Sequence, residues 1–249
     1  MVATDLEWGE IPEWCADDEK TCLGSADEAK DARLNKESEW VPGTASPFIA
    51  LDSCNVPHVA LTYGKAHAFT YDTTSEVWRE LGDGPNQPVA GANALYPVIA
   101  FDNQDRTVLA YTDDRDGFPR VQIWDGTNWE GVGPNTYVQR AKAEYLSLAV
   151  SPLDNSILLA FKDHSQTEAE GACYQGRRCI KGSMLRYDGT SWQHLGAPGF
   201  TGSTAEDLVT KFSPSGTLFV AYRECSDRFC DNSGVTVRMW DGATWALLG

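Results

Sequence analysis

Apolar and polar residues alternate with a period of two in short runs, and the runs recur in a fixed order. Val121-Gln122-Ile123-Trp124 leads into Asp125-Gly126-Thr127-Asn128-Trp129 and ends at Val132-Gly133. The same order appears from Ser183 through Tyr187-Asp188-Gly189 and Trp192 to Leu195-Gly196. It appears again from Val235 through Trp240-Asp241-Gly242 and Trp245 to Leu248-Gly249. A degenerate copy runs from Ala66 through Tyr71-Asp72 and Trp78 to Leu81-Gly82. Period-two alternation predicts strands, and Asp-Gly predicts a tight turn because Gly adopts positive φ without a steric penalty.

Two further apolar runs precede each hairpin. They are Phe48–Asp52 and His58–Tyr63, Val98–Asp102 and Val108–Asp113, Leu146–Pro152 and Ile157–Asp163, and Leu208–Pro214 and Leu218–Glu224. Each unit therefore predicts four strands, A to D, in units Pro47–Gly82, Pro97–Gly133, Leu146–Gly196 and Leu208–Gly249. A and B are apolar on both faces, as strands pressed between neighbouring sheets should be. Repeats of this size point to an all-β protein, a β-propeller of four-stranded antiparallel blades.

Residues 1–43 form a divergent N-terminal segment, and 44–249 hold the four-blade region. Ser25-Ala26-Asp27-Glu28 has the form of a capping box and predicts a short helix to about Lys36. Glu39-Trp40-Val41-Pro42-Gly43 has the form of an outer strand whose A to C strands are missing. Either the residues before it supply a divergent fifth blade, with Leu6, Trp8, Ile11 and Trp14 covering the gap, or the strand pairs elsewhere. The five-bladed ring is the expectation, and a larger assembly through this strand is the alternative.

The pattern apolar-apolar-Ala-Tyr-x-Asp followed by Trp/Tyr-Asp-Gly-x-x-Trp-x-x-Leu/Val-Gly resembles the repeats of large extracellular β-propellers, kelch-like and sialidase-type. The resemblance covers Pro47–Gly249. An Asp-box needs Ser or Thr two residues before the Asp, where this chain has Ile123, Arg186 and Met239. The resemblance implies the fold; such folds carry many functions.

Composition narrows the partners. The 249 residues carry 36 acidic and 20 basic side chains, a formal charge of −16, which opposes binding to nucleic acid. No apolar run reaches the roughly 20 residues of a membrane-spanning helix, so no membrane insertion is expected. Met1 to Trp8 lacks the basic and apolar regions of a signal peptide; a secreted chain would have shed its leader or be part of something longer. Six of the seven cysteines lie in close pairs, Cys15 with Cys22, Cys173 with Cys179 and Cys225 with Cys230. Their gaps suit local disulfides better than zinc knuckles, which predicts an extracellular or cell-surface protein. Cys54 is left over, as a buried thiol or an intermolecular link.

The candidate binding face is the one made by the B–C connections, which vary most in length and carry two of the cysteine pairs. Its candidate ligand-binding residues are Tyr63, Asp113, Arg115, Phe118, Asp163, Tyr174, Arg177, Arg223, Glu224, Arg228 and Phe229. Tyr63, Asp113, Asp163 and Glu224 end the B strands and would ring the channel mouth. Paired carboxylates there could serve a glycosidase, or simply pair with Lys162, Arg223 and loop amides. Trp78, Trp129, Trp192 and Trp245 read as packing between blades rather than as sugar platforms. The four His show no metal-ligand spacing, and no phosphate loop or nucleophile motif is present, so no catalytic residue, metal or cofactor is assigned. The acidic run Asp113–Gly117 could hold Ca²⁺ only weakly. The first reading is a non-catalytic module that contacts a protein or glycan. The alternative is a carbohydrate-active enzyme on the same fold.

Overall fold

The computed structural model describes residues 47–82, 93–135, 137–167, 179–225 and 233–248. The expectations for the N-terminal helix, the Trp40 strand and the Cys15–Cys22 pair fall outside the described residues.

Among the described residues sixteen strands form four antiparallel sheets, each in simple sequential order. The first sheet holds β1 (Phe48–Leu51), β2 (Pro57–Tyr63), β3 (Lys65–Asp72) and β4 (Val77–Glu80). The second holds β5 (Ala94–Phe101), β6 (Thr107–Asp113), β7 (Pro119–Trp124) and β8 (Trp129–Gly131). The third holds β9 (Ala143–Val150), β10 (Ile157–Thr167), β11 (Ile180–Tyr187) and β12 (Trp192–His194). The fourth holds β13 (Thr204–Phe212), β14 (Leu218–Cys225), β15 (Ser233–Trp240) and β16 (Trp245–Leu247). First strands of adjacent sheets contact one another, β1 with β5, β5 with β9 and β9 with β13, so they line a common axis. The architecture is blade-like, as the repeat predicts.

The hairpin turns follow from the Asp-Gly pairs. Gly126, Gly189 and Gly242 have φ near +100°, at 101°, 96° and 101°. The preceding Asp accepts two backbone N–H bonds in each turn, from Thr127 and Asn128, Thr190 and Ser191, and Ala243 and Thr244. The D-strand tryptophans stitch one sheet to the one before it. Trp129 Nε1–H donates to the Leu81 carbonyl at 2.9 Å, Trp192 to Val132 at 2.9 Å, and Trp245 to Leu195 at 3.0 Å. That explains the fixed spacing of Trp and Leu/Val-Gly: one residue supplies the donor and the other the acceptor. Each bond satisfies two polar groups at a packed junction, worth about 1 kcal/mol.

Three core clusters fill the three junctions. Ala60, Ala66 and Ala68 meet Ile99, Leu109 and Tyr111 between the first two sheets. Val98, Val108 and Val121 meet Leu148, Leu159 and Phe161 between the second and third. Leu158 and Met184 meet Leu208, Val220 and Tyr222 between the third and fourth. The expectation that A and B strands are buried on both faces holds for β6, buried throughout. It fails for the end sheets. β1 alternates, with Ile49 and Leu51 at 64% and 56% exposed, and β13 alternates with Val209 at 54%. The reason is positional: among the described residues no core cluster joins the fourth sheet to the first, so none of those residues covers the outer face of either end sheet with a core cluster.

Candidate functional site at the axial mouth

The A strands of the second to fourth sheets share a device that positions side chains at the axis. Each has a one-residue β-bulge near its start. Ala94 pairs with Asp113 and Leu95 with Thr112, but pairing resumes only at Val98 with Ala110. Ala143 and Glu144 pair with Asp163 and Lys162, and pairing resumes at Ser147 with Ala160. Ala205 and Glu206 pair with Glu224 and Arg223, and pairing resumes at Val209 with Ala221. The first residue of each bulge lies in the left-handed region, Tyr96 at φ 52°, Tyr145 at 53° and Asp207 at 52°. A non-glycine residue there costs on the order of 1 kcal/mol, so three equivalent instances mark a built feature. Ala94, Ala143 and Ala205, fully or nearly fully buried, anchor the strand beneath it.

The bulges gather an ionic cluster. Glu144 receives Lys142 Nζ at 2.6 Å and faces His164 Nε2 at 3.0 Å. Glu206 accepts from Lys162 Nζ at 2.9 Å and from Arg223 Nη2 at 2.6 Å. The same Lys162 ammonium lies 3.8 Å from Glu144 and 5.3 Å from the centre of the Tyr145 ring. One buried cation therefore links the two carboxylates. Arg223 Nε also meets Asp207 at 3.2 Å, and the Tyr96 and Tyr145 rings lie 5.3 Å apart. The His164 imidazole beside it holds the Glu144 carboxyl down at about 2, with Lys142 adding to it against the opposing effect of burial. Burial and the charge of Glu144 push the Tyr96 phenol up to about 12, so it is neutral and able to donate. Two carboxylates, a shared ammonium and two half-buried tyrosines suit a hydroxyl-rich ligand, with aromatic faces for its apolar side.

The sequence-predicted residues fare unevenly. Arg223 belongs to the cluster. Asp113 does not offer a free carboxylate, whereas Asp163 keeps a buried Oδ2 that has no hydrogen-bond partner among the described residues. Asp113 is buried and takes Arg115 Nη2 at 2.8 Å and Arg120 Nε at 3.0 Å. Those bonds, Arg115 foremost, hold it at about 2. Asp163, fully buried, accepts from Gln139 Nε2 at 3.0 Å and from Ser165 N and Oγ at 2.9 and 2.6 Å. Asp113 ties down the loop after β6, while Asp163, within β10, ties that strand to the segment before β9 through Gln139. Arginines likewise occupy the acidic run considered for Ca²⁺, since Asp116 pairs with Arg120 at 2.7 Å. Arg115 is folded back on Asp113, Phe118 packs edge-on against Tyr137 with ring centres 5.7 Å apart, and Glu224 accepts from Thr236. Tyr63 ends β2 and pairs through its backbone with Lys65. Tyr174, Arg177, Arg228 and Phe229 lie outside the described residues, as do Cys173 and Cys230; Cys179 and Cys225 are each disulfide-bonded. Cys54 is exposed with a free thiol, not buried.

Sequence reasoning missed Tyr96, Glu144, Tyr145, Glu206 and Asp207. The signal was present as Ala94-Leu95-Tyr96, Ala143-Glu144-Tyr145 and Ala205-Glu206-Asp207. Counting the units from Pro97, Leu146 and Leu208 cuts each motif off by one residue.

No protein-family model matches the chain, and no curated protein matches it. Solved structures do match, at low identity. A protein of unknown function from Dyadobacter fermentans aligns over 83% of this chain and 64% of its own, with 12% identity and a TM-score of 0.55. An alpha-L-arabinanase from Penicillium chrysogenum, complexed with arabinobiose, aligns over 85% and 67%, with 12% identity and a TM-score of 0.54. An endo-1,4-beta-xylanase from Bacteroides thetaiotaomicron aligns over 83% and 76%, with 12% identity and a TM-score of 0.52. The chain thus spans about two thirds of the length of the first two. The likeness establishes a β-propeller-like fold.

Proposed function

We propose that the chain is a carbohydrate-active domain that binds a glycan across the axial mouth and cleaves it there. The observation that carries this reading is the pair of carboxylates, Glu144 and Glu206, brought to one ammonium by equivalent bulges. The similarity to an arabinanase and a xylanase supports it. In a hydrolysis, ionised Glu144 would activate water or stabilise the developing positive charge, and Glu206 would protonate the leaving oxygen. Glu206 first has to exchange its Lys162 and Arg223 partners for substrate and take up a proton from solvent, which the water consumed in hydrolysis returns through Glu144. Release of reducing ends from arabinan, xylan and galactan tests the proposal. Turnover that Glu144→Gln and Glu206→Gln each lower by about 10³-fold supports it; equal turnover in the variants contradicts it.

A second reading is a non-catalytic module that contacts a glycan or protein. It is favoured by both oxygens of Glu206 being already occupied by cations. Glycan binding without product release would select it.

The proposal extends to the setting. Pairings Cys173–Cys179, Cys225–Cys230 and Cys15–Cys22 would staple their own loops and place the protein outside the cell or on its surface. A fifth blade formed by the N-terminal residues would extend the tryptophan stitching with Trp40 as donor, its Trp-to-Gly ending being one residue shorter than in the other units. Among the described residues the Trp78 indole has no acceptor, which fits a missing neighbour.

A further inference from the structure

The face opposite the axial mouth carries the A–B turns, and there one junction differs from the other two. Ser53 N–H and Oγ–H of the first sheet donate to the Asp105 carboxylate of the second, the backbone bond at 3.1 Å. Asn103 N–H of the second sheet donates to Asn155 Oδ1 of the third at 2.8 Å. Each acceptor is the left-handed residue of its turn, Asp105 and Asn155 both at φ 59°. At the third junction the corresponding positions are Pro152, which has no N–H, and Gly216 at φ 82°, which has no side chain. Donor and acceptor are both missing. The latch that closes the first two junctions cannot form, and a groove of about 320 Å³ opens between the third and fourth sheets.

The groove is lined by Asp154, Arg186, Phe212, Ser215, Trp240 and Asp241, among others. Its polar groups are held in place. Ser156 N–H and Oγ–H donate to Asp154 Oδ1 at 3.1 and 2.8 Å, and Arg186 Nη2 bonds the other carboxylate oxygen. A guanidinium fork and a carboxylate thus stand side by side, presenting donors and acceptors at hydroxyl-to-hydroxyl spacing. Trp240, tilted against Trp245 with ring centres 5.3 Å apart, supplies an aromatic wall, and among the described residues its indole N–H has no acceptor. One cation stands against two carboxylates, which disfavours an acidic ligand. The volume lies at the small end of ligand sites, the size of one sugar unit rather than a chain.

From this we infer that the groove is a second carbohydrate site, for a single neutral sugar residue, on the face opposite the axial mouth. The sugar's apolar face stacks on Trp240, and vicinal hydroxyls bridge Arg186 and Asp154. The inference does not depend on what happens at the axis. The site would hold a branch or terminal residue of a glycan and add a second point of attachment.

The test is an indole N–H NMR titration of the full chain with free galactose, xylose and arabinose, Trp240 being assigned from Trp240→Phe. The expected result is a saturable shift of the Trp240 resonance with at least one sugar. Ser215 is exposed in its turn, so Ser215→Trp can fill the groove without touching the core. That variant, and independently Arg186→Gln, should weaken the response by about tenfold or more, while Glu206→Gln at the axis leaves it unchanged. No saturable shift with any of the three, or the same affinity in both groove variants, overturns the inference.

Discussion

Two rows of acids stand within a few residues of each other on the same face, and they do different work. One row lies on the B strands, with Asp113 at the end of β6 and Asp163 within β10. The other starts the A strands, at Glu144 and Glu206. The first row is 1% and 0% exposed; Asp113 bonds Arg115 and Arg120, and Asp163 bonds Ser165 and the distant Gln139 through Oδ1 alone. The second row sits beside the bulges, 17% and 15% exposed, and meets cations from across its own and neighbouring strands. The backbone makes the distinction. The end of β6 directs Asp113 back into its turn, and the bulges turn Glu144 and Glu206 toward the axis. Position on a face is therefore a weaker guide to function than the local backbone that aims the side chain.

The largest effect should come from breaking the structural row. Asp113→Ala leaves the Arg120 guanidinium, 13% exposed, without its main buried partner. The expected loss is about 3 kcal/mol, and Tm should fall by roughly 10 °C in a thermal melt. A Tm within a degree or two of the parent would erase the contrast between the rows.

Acid should produce the next largest effect. Asp113 is held at about 2 in the folded protein, below its unfolded value. A depressed carboxylate contributes stability that is fully present above the unfolded pKa near 4 and lost as pH falls through the folded value. Urea melts should thus show flat stability above about pH 5 and a decline between about pH 4 and 2, with Asp113 supplying about 2 kcal/mol of it. Asp113→Asn should flatten that decline.

A smaller effect should follow from the stitching. Trp192→Phe keeps most of the ring packing and removes the bond to the Val132 carbonyl. About 1 kcal/mol should be lost, with hydrogen exchange rising at the junction of the second and third sheets. A loss confined to the third sheet's own hairpin would show that the indole bond does not join sheets.

The fold was legible in the sequence because its signals are local. Asp-Gly turns, alternation and the Trp-to-Gly spacing each act within a dozen residues, and they predict the hairpins and the simple order of the sheets. The packing role of Trp129, Trp192 and Trp245 was legible for the same reason. The site was not, because a bulge is a register defect. Glu144 and Glu206 look like ordinary strand residues until two residues are seen to oppose one, Phe161 or Tyr222. Asp113 and Asp163 recur at equivalent places of the repeat, but the bonds each makes could not be read from that recurrence. The exposed faces of β1 and β13 escaped because burial in an end sheet depends on a neighbour that no local pattern encodes.

The most direct test of the account measures function and stability on one variant from each row. Glu206→Gln and Asp113→Ala would be compared for glycan turnover or binding per folded molecule and for Tm. The account predicts that Glu206→Gln abolishes turnover, or weakens binding by about tenfold or more, while costing only about 1 kcal/mol. It predicts that Asp113→Ala melts far earlier yet keeps its activity per folded molecule at low temperature. Intact glycan function in Glu206→Gln, with function lost in folded Asp113→Ala, would contradict it.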